Sequence, residues 1–253
     1  MSGGAPVLWQ YSFSNYNEKV RWALDYKGVP HRRRSVLPMS PRSLWFSRGD
    51  RTLPVLELDG TRVMDSTAII SSLEERHPDP PLYPADPDDR RQALELEDYF
   101  DEHAGHDVRR VGLIEWWDEP EFGAEMFTID QPAVVRWGVR HVQRLIRPIT
   151  WRFFDSRYSF DPDSFERSKE TLRVALDRIE AERNGRPYLV GDSFTVADLT
   201  AAALLYPFAW PPEYPYELPE RPKSELLDSL RDHPTCVWIA EIWRRHRGGP
   251  SEI

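Results

Sequence analysis

The chain has 253 residues, 40% of them hydrophobic, enough to bury the cores of two modest domains, which is the organisation we expect. A net charge of -9 and a pI near 5.4 argue against a nucleic-acid partner, because neutralising phosphates takes clustered Lys and Arg, and the short run His31-Arg32-Arg33-Arg34 does not reverse the overall field. Cys236 is the only cysteine, which excludes an intrachain disulfide; with no basic and apolar leader and no apolar run near the roughly 20 residues of a spanning helix, the expectation is a soluble, cytoplasmic protein with no membrane partner.

In chain order, Val7 to Gln10 is a short apolar strand. Asn15 to Tyr26 carries Val20, Ala23 and Leu24 at helical spacing, and Gly28 supplies the stop. Arg32 to Val36 reads as a second strand whose arginines form a solvated face or edge, and a helix follows Pro41. Leu53 to Met64 reads as two strands joined at Asp59-Gly60, the dipeptide that tight hairpin turns favour. Asp65-Ser66 then opens a helix with Ile69, Ile70 and Leu73 on one face, closing before Pro78 and completing the order βαβαββα.

The stretch around residues 78–87 is too rich in proline for a regular element and reads as a linker between a domain at 1–77 and one at 88–253. Beyond it, Leu94, Tyr99, Val134, Val142, Leu145, Ile146, Leu172, Leu176, Ile179 and Leu204 recur at helical spacings, predicting an all-helical second domain. Most of its middle aromatics, from Trp116 and Trp117 through Trp137 to Phe154, are expected in the core. Pro207 to Pro222, with Trp210, Tyr214 and Tyr216, reads as a structured loop, and Cys236 as a small buried residue.

Two places carry chemistry. Phe13-Ser14-Asn15-Tyr16-Asn17-Glu18 puts hydroxyls and amides at the mouth of the first helix, where free N–H groups and the positive dipole end favour an anion such as a thiolate. A hydroxyl there adds a donor, and such surroundings pull a thiol down from its ordinary pKa of about 8.5, so that the nucleophilic thiolate forms at working pH. Asp101-Glu102-His103-Ala104-Gly105-His106-Asp107 sets two imidazoles three apart among carboxylates. Gly105 weakens that helix and no third ligand is dictated, so no metal site is expected.

Taken together, a small βαβαββα domain, a proline linker and an all-helical domain resemble the cytosolic glutathione transferase family, over almost the whole chain. Ser14 to Arg21 is similar to the active-site segment of its serine and cysteine classes, with Asn15 where proline is common; Thr52-Leu53-Pro54-Val55 is similar to its cis-proline turn. Asp65-Ser66 matches its acidic residue and serine, and Gly191 to Asp198 its helix-capping box. The resemblance implies a thioredoxin-like α/β N-terminal domain, an all-α C-terminal domain and a homodimer.

It further implies a detoxifying enzyme that activates the thiol of glutathione, its cosubstrate, for attack on a small apolar electrophile. Ser14 is the expected catalytic residue, with Tyr11, Ser12 and Tyr16 as alternates. Leu53, before a cis Pro54, would pair its backbone with the cysteinyl unit of glutathione, and Asp65 and Ser66 would hold the γ-glutamyl end. His103, His106 or Arg109, on the helix lining the interdomain cleft, would touch the electrophile. Two alternatives stay open: a different low-molecular-weight thiol, or a noncatalytic ligand-binding or interaction protein on the same fold.

Overall fold

A computed structural model describes residues 4–46, 52–117 and 119–253. Strands β1 (Val7–Gln10), β2 (Arg32–Ser35), β3 (Val55–Leu58) and β4 (Thr61–Met64) form one sheet in the order β2-β1-β3-β4. β1 runs parallel to β2 and antiparallel to β3, and β3 and β4 form a hairpin. Its turn places Asp59 and Gly60 at φ of 51° and 78°, the left-handed pair that the Asp-Gly dipeptide was expected to supply.

Helices α1 (Asn15–Tyr26), α2 (Pro41–Phe46) and α3 (Ser66–Arg76) complete this thioredoxin-like unit. α1 lies between the sheet and the helical half, so it is buried all round: Val20, Ala23 and Leu24 are in the core, but so are Glu18, Lys19 and Arg21. Those charges are tolerated because they are paired, Lys19 with Glu97 and Asp101 at 2.9 and 2.8 Å and Arg21 with Glu18 at 2.6 Å. The middle arginine of β2 is also paired: Arg33 meets Asp25 at 2.6 Å, whereas Arg32 and Arg34 are exposed as the sequence suggested.

The proline-rich stretch after α3 is irregular but anchored. Leu82 and Tyr83 are buried, the Glu74 carboxylate accepts their N–H groups, and Lys27 donates to the carbonyls of His77 and Pro80.

The second half is helical: α4 (Pro87–Asp98), a π-helical turn (Tyr99–Ala104), α5 (Gly105–Trp117), α6 (Pro120–Phe127), α7 (Ala133–Tyr158), α8 (Pro162–Arg183), α9 (Val196–Leu204), α10 (Tyr206–Ala209), α11 (Glu225–Leu230) and α12 (Pro234–His246). The capping box before α9 is formed, with both oxygens of the buried Asp198 in use. Cys236 is buried, and that burial pushes its thiol up to about 11, so it is inert.

α7 departs from expectation. Val134, Trp137, Val142, Leu145 and Ile149 are exposed, and only Gln143 and Phe154 of its 26 residues are buried. Trp137, expected in the core, is 64% exposed, because the helix packs through the face carrying Gln143 and Phe154 and turns its apolar stripe outward. Periodicity announces an amphipathic helix without saying which face meets the protein.

Candidate active site

The first turn of α1 is set by side chains. Ser14 is the N-cap residue, in extended conformation (φ -78°, ψ 129°), and its hydroxyl makes no capping hydrogen bond. Asn15 takes a first-turn N–H instead, its Oδ1 accepting from Tyr16 at 3.0 Å, while Asn17 Oδ1 accepts the Tyr11 N–H of the preceding loop at 3.1 Å. Arg21 holds the loop from below: its guanidinium donates to Gln10 Oε1, to the Tyr11 and Ser12 carbonyls and to the Tyr214 hydroxyl, while pairing with Glu18. The Tyr206 and Tyr214 hydroxyls donate to the Phe13 and Ser12 carbonyls. The loop is thus clamped on its carbonyl side, leaving the Ser14 side chain at the helix mouth.

That mouth opens into a cavity of about 840 Å³, part of it open to solvent. Ser14, Tyr11, Thr52 and Leu53 line one side; Arg109, Leu113 and Trp116 from α5 and Phe153, Phe154, Arg157 and Tyr158 from α7 line the other. Leu53 precedes the cis bond to Pro54, and its backbone lies outside the sheet ladder, which starts at Val55. Leu53 can therefore pair with an extended ligand, and a hydroxyl at the mouth of a twelve-residue helix suits a thiolate, so the residues present fit the cysteinyl part of glutathione.

The other candidates are placed as follows. The Tyr11 hydroxyl donates to Ser43 Oγ at 2.8 Å, and Ser12 is buried away from the cavity lining. The Tyr16 hydroxyl donates to the Asp101 carbonyl at 2.6 Å, and burial pushes its pKa well up, so it is no phenolate and points away from Ser14's cavity. Asp65 caps α3 at φ 74°, its Oδ1 accepting the Ala68 N–H at 2.9 Å. Ser66 is buried with its hydroxyl 3.4 Å from Asp101 Oδ1. Neither Asp65 nor Ser66 lines the cavity, and nor do His103 and His106; His103 stacks on Tyr99 and His106 leans on Tyr16. Of the three residues expected to meet the electrophile, Arg109 is the one brought to Ser14's cavity. Among the described residues no group of three His, Cys, Asp or Glu is arranged to hold a metal ion.

Comparison with known proteins agrees with this fold. Residues 8–81 match the model "Glutathione S-transferase, N-terminal domain", and residues 142–233 match "Glutathione S-transferase, C-terminal domain". The chain belongs to the glutathione S-transferase family. A probable maleylacetoacetate isomerase of Caenorhabditis elegans is 38% identical over 96 residues, 37% of this chain and 45% of that protein. The maleylacetoacetate isomerase of Rattus norvegicus is 35% identical over 96 residues, 36% and 44% of the two chains. These matches thus span less than half the length of the curated relatives. Among solved structures, a glutathione S-transferase of Rhodospirillum rubrum superposes with a TM-score of 0.63 over 96% of this chain and 89% of its own, at 21% identity. A glutathione S-transferase of Methylobacterium radiotolerans, in complex with glutathione sulfonate, superposes at 0.59 over 95% and 90%, at 22% identity.

Sequence reasoning missed residues of two kinds: Tyr206 and Tyr214, which hold the site from a distance, and Arg157 and Tyr158, which line the cavity from α7. Tyr206, Tyr214, Arg157 and Tyr158 carry no local motif. Tyr214 and Tyr216 sit in the Pro207 to Pro222 stretch, which turns out to buttress the site: besides Tyr214, the Tyr216 hydroxyl accepts from Gln10 Nε2 at 2.7 Å. Aromatic residues within a proline-rich run were the one available signal.

Proposed function

We propose that this glutathione transferase-like enzyme binds glutathione across residues 1–77 and activates its thiol at Ser14 for attack on a small electrophile held by residues 88–253. The observation that carries this reading is the Ser14 hydroxyl: it sits at the N-cap of α1, spends no hydrogen bond on capping, and faces a cavity also lined by Leu53. A bound thiol placed there receives the hydroxyl's hydrogen bond and the positive end of the helix, both of which favour the thiolate. The chemistry is then attack by sulfur on an electrophilic carbon, the C–S bond forming as that carbon's bond to a leaving group, or the π bond of an activated double bond, breaks and takes the electron pair, with the thiol proton passing to solvent.

Leu53 supplies the backbone pairing for the cysteinyl unit, Pro54 holds the turn, and Asp65 and Ser66 at the start of α3 receive the γ-glutamyl end. A cytoplasmic, homodimeric detoxification enzyme is the setting we assign. The test is a calorimetric titration with glutathione on the native chain and on Ser14→Ala. Binding by both, with loss of turnover in the variant, supports the reading; no binding by either at millimolar glutathione rejects it.

One observation favours a second thiol. The Asp65 carboxylate is partly spent on capping, and the Ser66 hydroxyl faces Asp101. If the carrier lacks a γ-glutamyl group, cysteinylglycine binds as tightly as glutathione; if it has one, cysteinylglycine binds at least tenfold more weakly.

A further inference from the structure

The cavity beside Ser14 is walled mainly by Phe13, Leu113, Trp116, Phe153 and Phe154, yet two charged side chains line it and both are cations, Arg109 and Arg157. No carboxylate of the described residues is in the lining. Elsewhere the chain neutralises the cations it buries: Lys19, Arg21, Arg33 and Arg247 each have a carboxylate oxygen between 2.6 and 2.9 Å away. Arg109 has none. Its guanidinium lies between two rings, 4.4 Å from the Tyr16 centroid and 5.4 Å from that of Tyr158. Its hydrogen bonds among the described residues go only to phenol oxygens, a long one from Nη1 to the Tyr158 hydroxyl at 3.4 Å and one to Tyr16, and its Nε is buried with no partner.

A guanidinium stays charged at any physiological pH, and withdrawing one from water without an anion is costly. Stacking on tyrosine returns only about 0.5–2 kcal/mol. Two rings also fix the guanidinium plane, which leaves its donor edge oriented for a planar, bidentate acceptor. Arg157 is exposed at the other end of the lining, one residue before Tyr158, and none of the described residues forms an ion pair with it. A second space of about 750 Å³, walled mostly by apolar side chains but with Gln143 and Arg147 also in its lining, shares Pro38, Trp116 and Phe154 with the first and adds Phe127, Val139 and Ile146. An anion with an apolar body fits this pair of spaces better than a neutral apolar molecule does.

We propose that the second substrate carries a carboxylate beside an apolar body, that Arg109 receives the carboxylate with Arg157 at the mouth, and that the aromatic walls take the body. This rests on the thiol-transfer reading in one respect only, that the ligand is a substrate; the anion site itself stands on Arg109.

The experiment separates the two. Equilibrium binding of p-nitrobenzoate and of p-nitrobenzamide, equal in shape and different in charge, is measured on the native chain, on Arg109→Gln and on Arg157→Gln, each checked for native circular dichroism. The native chain should bind the benzoate at least tenfold more tightly than the amide. That preference should vanish in Arg109→Gln and shrink severalfold in Arg157→Gln, which is exposed and keeps the fold even if the first variant does not. Equal affinity for the two probes in the native chain, or a preference that both variants retain, overturns the proposal. So does a loss of glutathione affinity in Arg109→Gln that matches the loss of benzoate affinity, since the arginine would then serve the tripeptide's own carboxylate. A benzoate preference without turnover of glutathione by a chlorodinitrobenzoate would keep the anion site and reject the transferase reading.

Discussion

The Tyr16 hydroxyl reaches the Asp101 carbonyl at 2.6 Å because residue 105 has no side chain. A Cβ there would lie 2.2 Å from the Tyr16 oxygen and 3.0 Å from the Phe100 carbonyl. The contact joins the first helix of the sheet domain to the π-helical turn between α4 and α5, and the Tyr16 ring is one of the two that hold Arg109. Gly105→Ala gains about 1 kcal/mol of helix propensity but forces this contact apart, for a net loss of about 1–3 kcal/mol. Chemical denaturation checks the loss, and affinity for p-nitrobenzoate should fall more than affinity for glutathione.

Arg21 is the residue on which the active-site loop hangs. It is buried and donates to Gln10, Tyr11, Ser12 and Tyr214 while pairing with Glu18, a fan of contacts that only a planar guanidinium makes. Lysine in its place leaves several of these acceptors unpaired, so Arg21→Lys should cost about 2–4 kcal/mol of stability. Because Ser14 is then no longer held, kcat should fall as well, even at saturating glutathione. Unchanged kcat in a folded variant would show that Arg21 serves stability alone.

Much of this was readable in advance, for identifiable reasons. β1, α1, the Asp59-Gly60 turn and the Thr195–Asp198 capping box depend on local pattern, and local pattern is what a sequence displays. That Ser14 and Leu53 would line one cavity was legible because position within an element decides where they point. The cationic state of the cavity was only half legible: Arg109 was a candidate, but Arg157 arrives from α7, more than a hundred residues beyond Leu53. Nor was the orientation of α7, since an amphipathic pattern fits either face, and Trp137 shows which one won.

Asp198 makes the capping box depend on two acceptors. Its Oδ1 takes the Leu189 N–H at 2.8 Å, and its Oδ2 takes the Thr195 N–H and hydroxyl, both at 2.9 Å. An asparagine has one acceptor and must turn an amine toward one of these donors. Asp198→Asn should therefore destabilise the chain by about 2–3 kcal/mol, read as a shift of the urea midpoint, with the site's chemistry unaltered in whatever remains folded.

His31 gives the stability a pH dependence of definite sign. The ring is buried, Nδ1 lies 2.8 Å from the Val29 carbonyl, and Nε2 accepts from Arg33 Nε at 3.1 Å, a pattern that needs the neutral ring. Burial first, and the Arg33 charge with it, pull its pKa below 6.5, against the backbone carbonyl and the carboxylates of Asp25 and Glu252. The unfolded chain thus takes up a proton that the folded chain refuses, so His31's contribution is present above pH 6.5 and is lost as pH falls below it. The unfolding free energy of the native chain should drop relative to His31→Gln by up to about 1.4 kcal/mol per pH unit below that point. A difference independent of pH would mean that His31 takes up its proton as readily in the folded chain as in the unfolded one.

The measurement that bears most directly on the whole account is the ultraviolet titration of the thiol of bound glutathione in the native chain and in Ser14→Ala. The helix mouth and the Ser14 hydroxyl together should bring the bound thiol at least one pH unit below the roughly 8.5 of a free thiol, and removing the hydroxyl should return most of that shift while glutathione still binds. Identical thiol titrations in the two proteins would contradict the assignment of Ser14 and move the search to Tyr11.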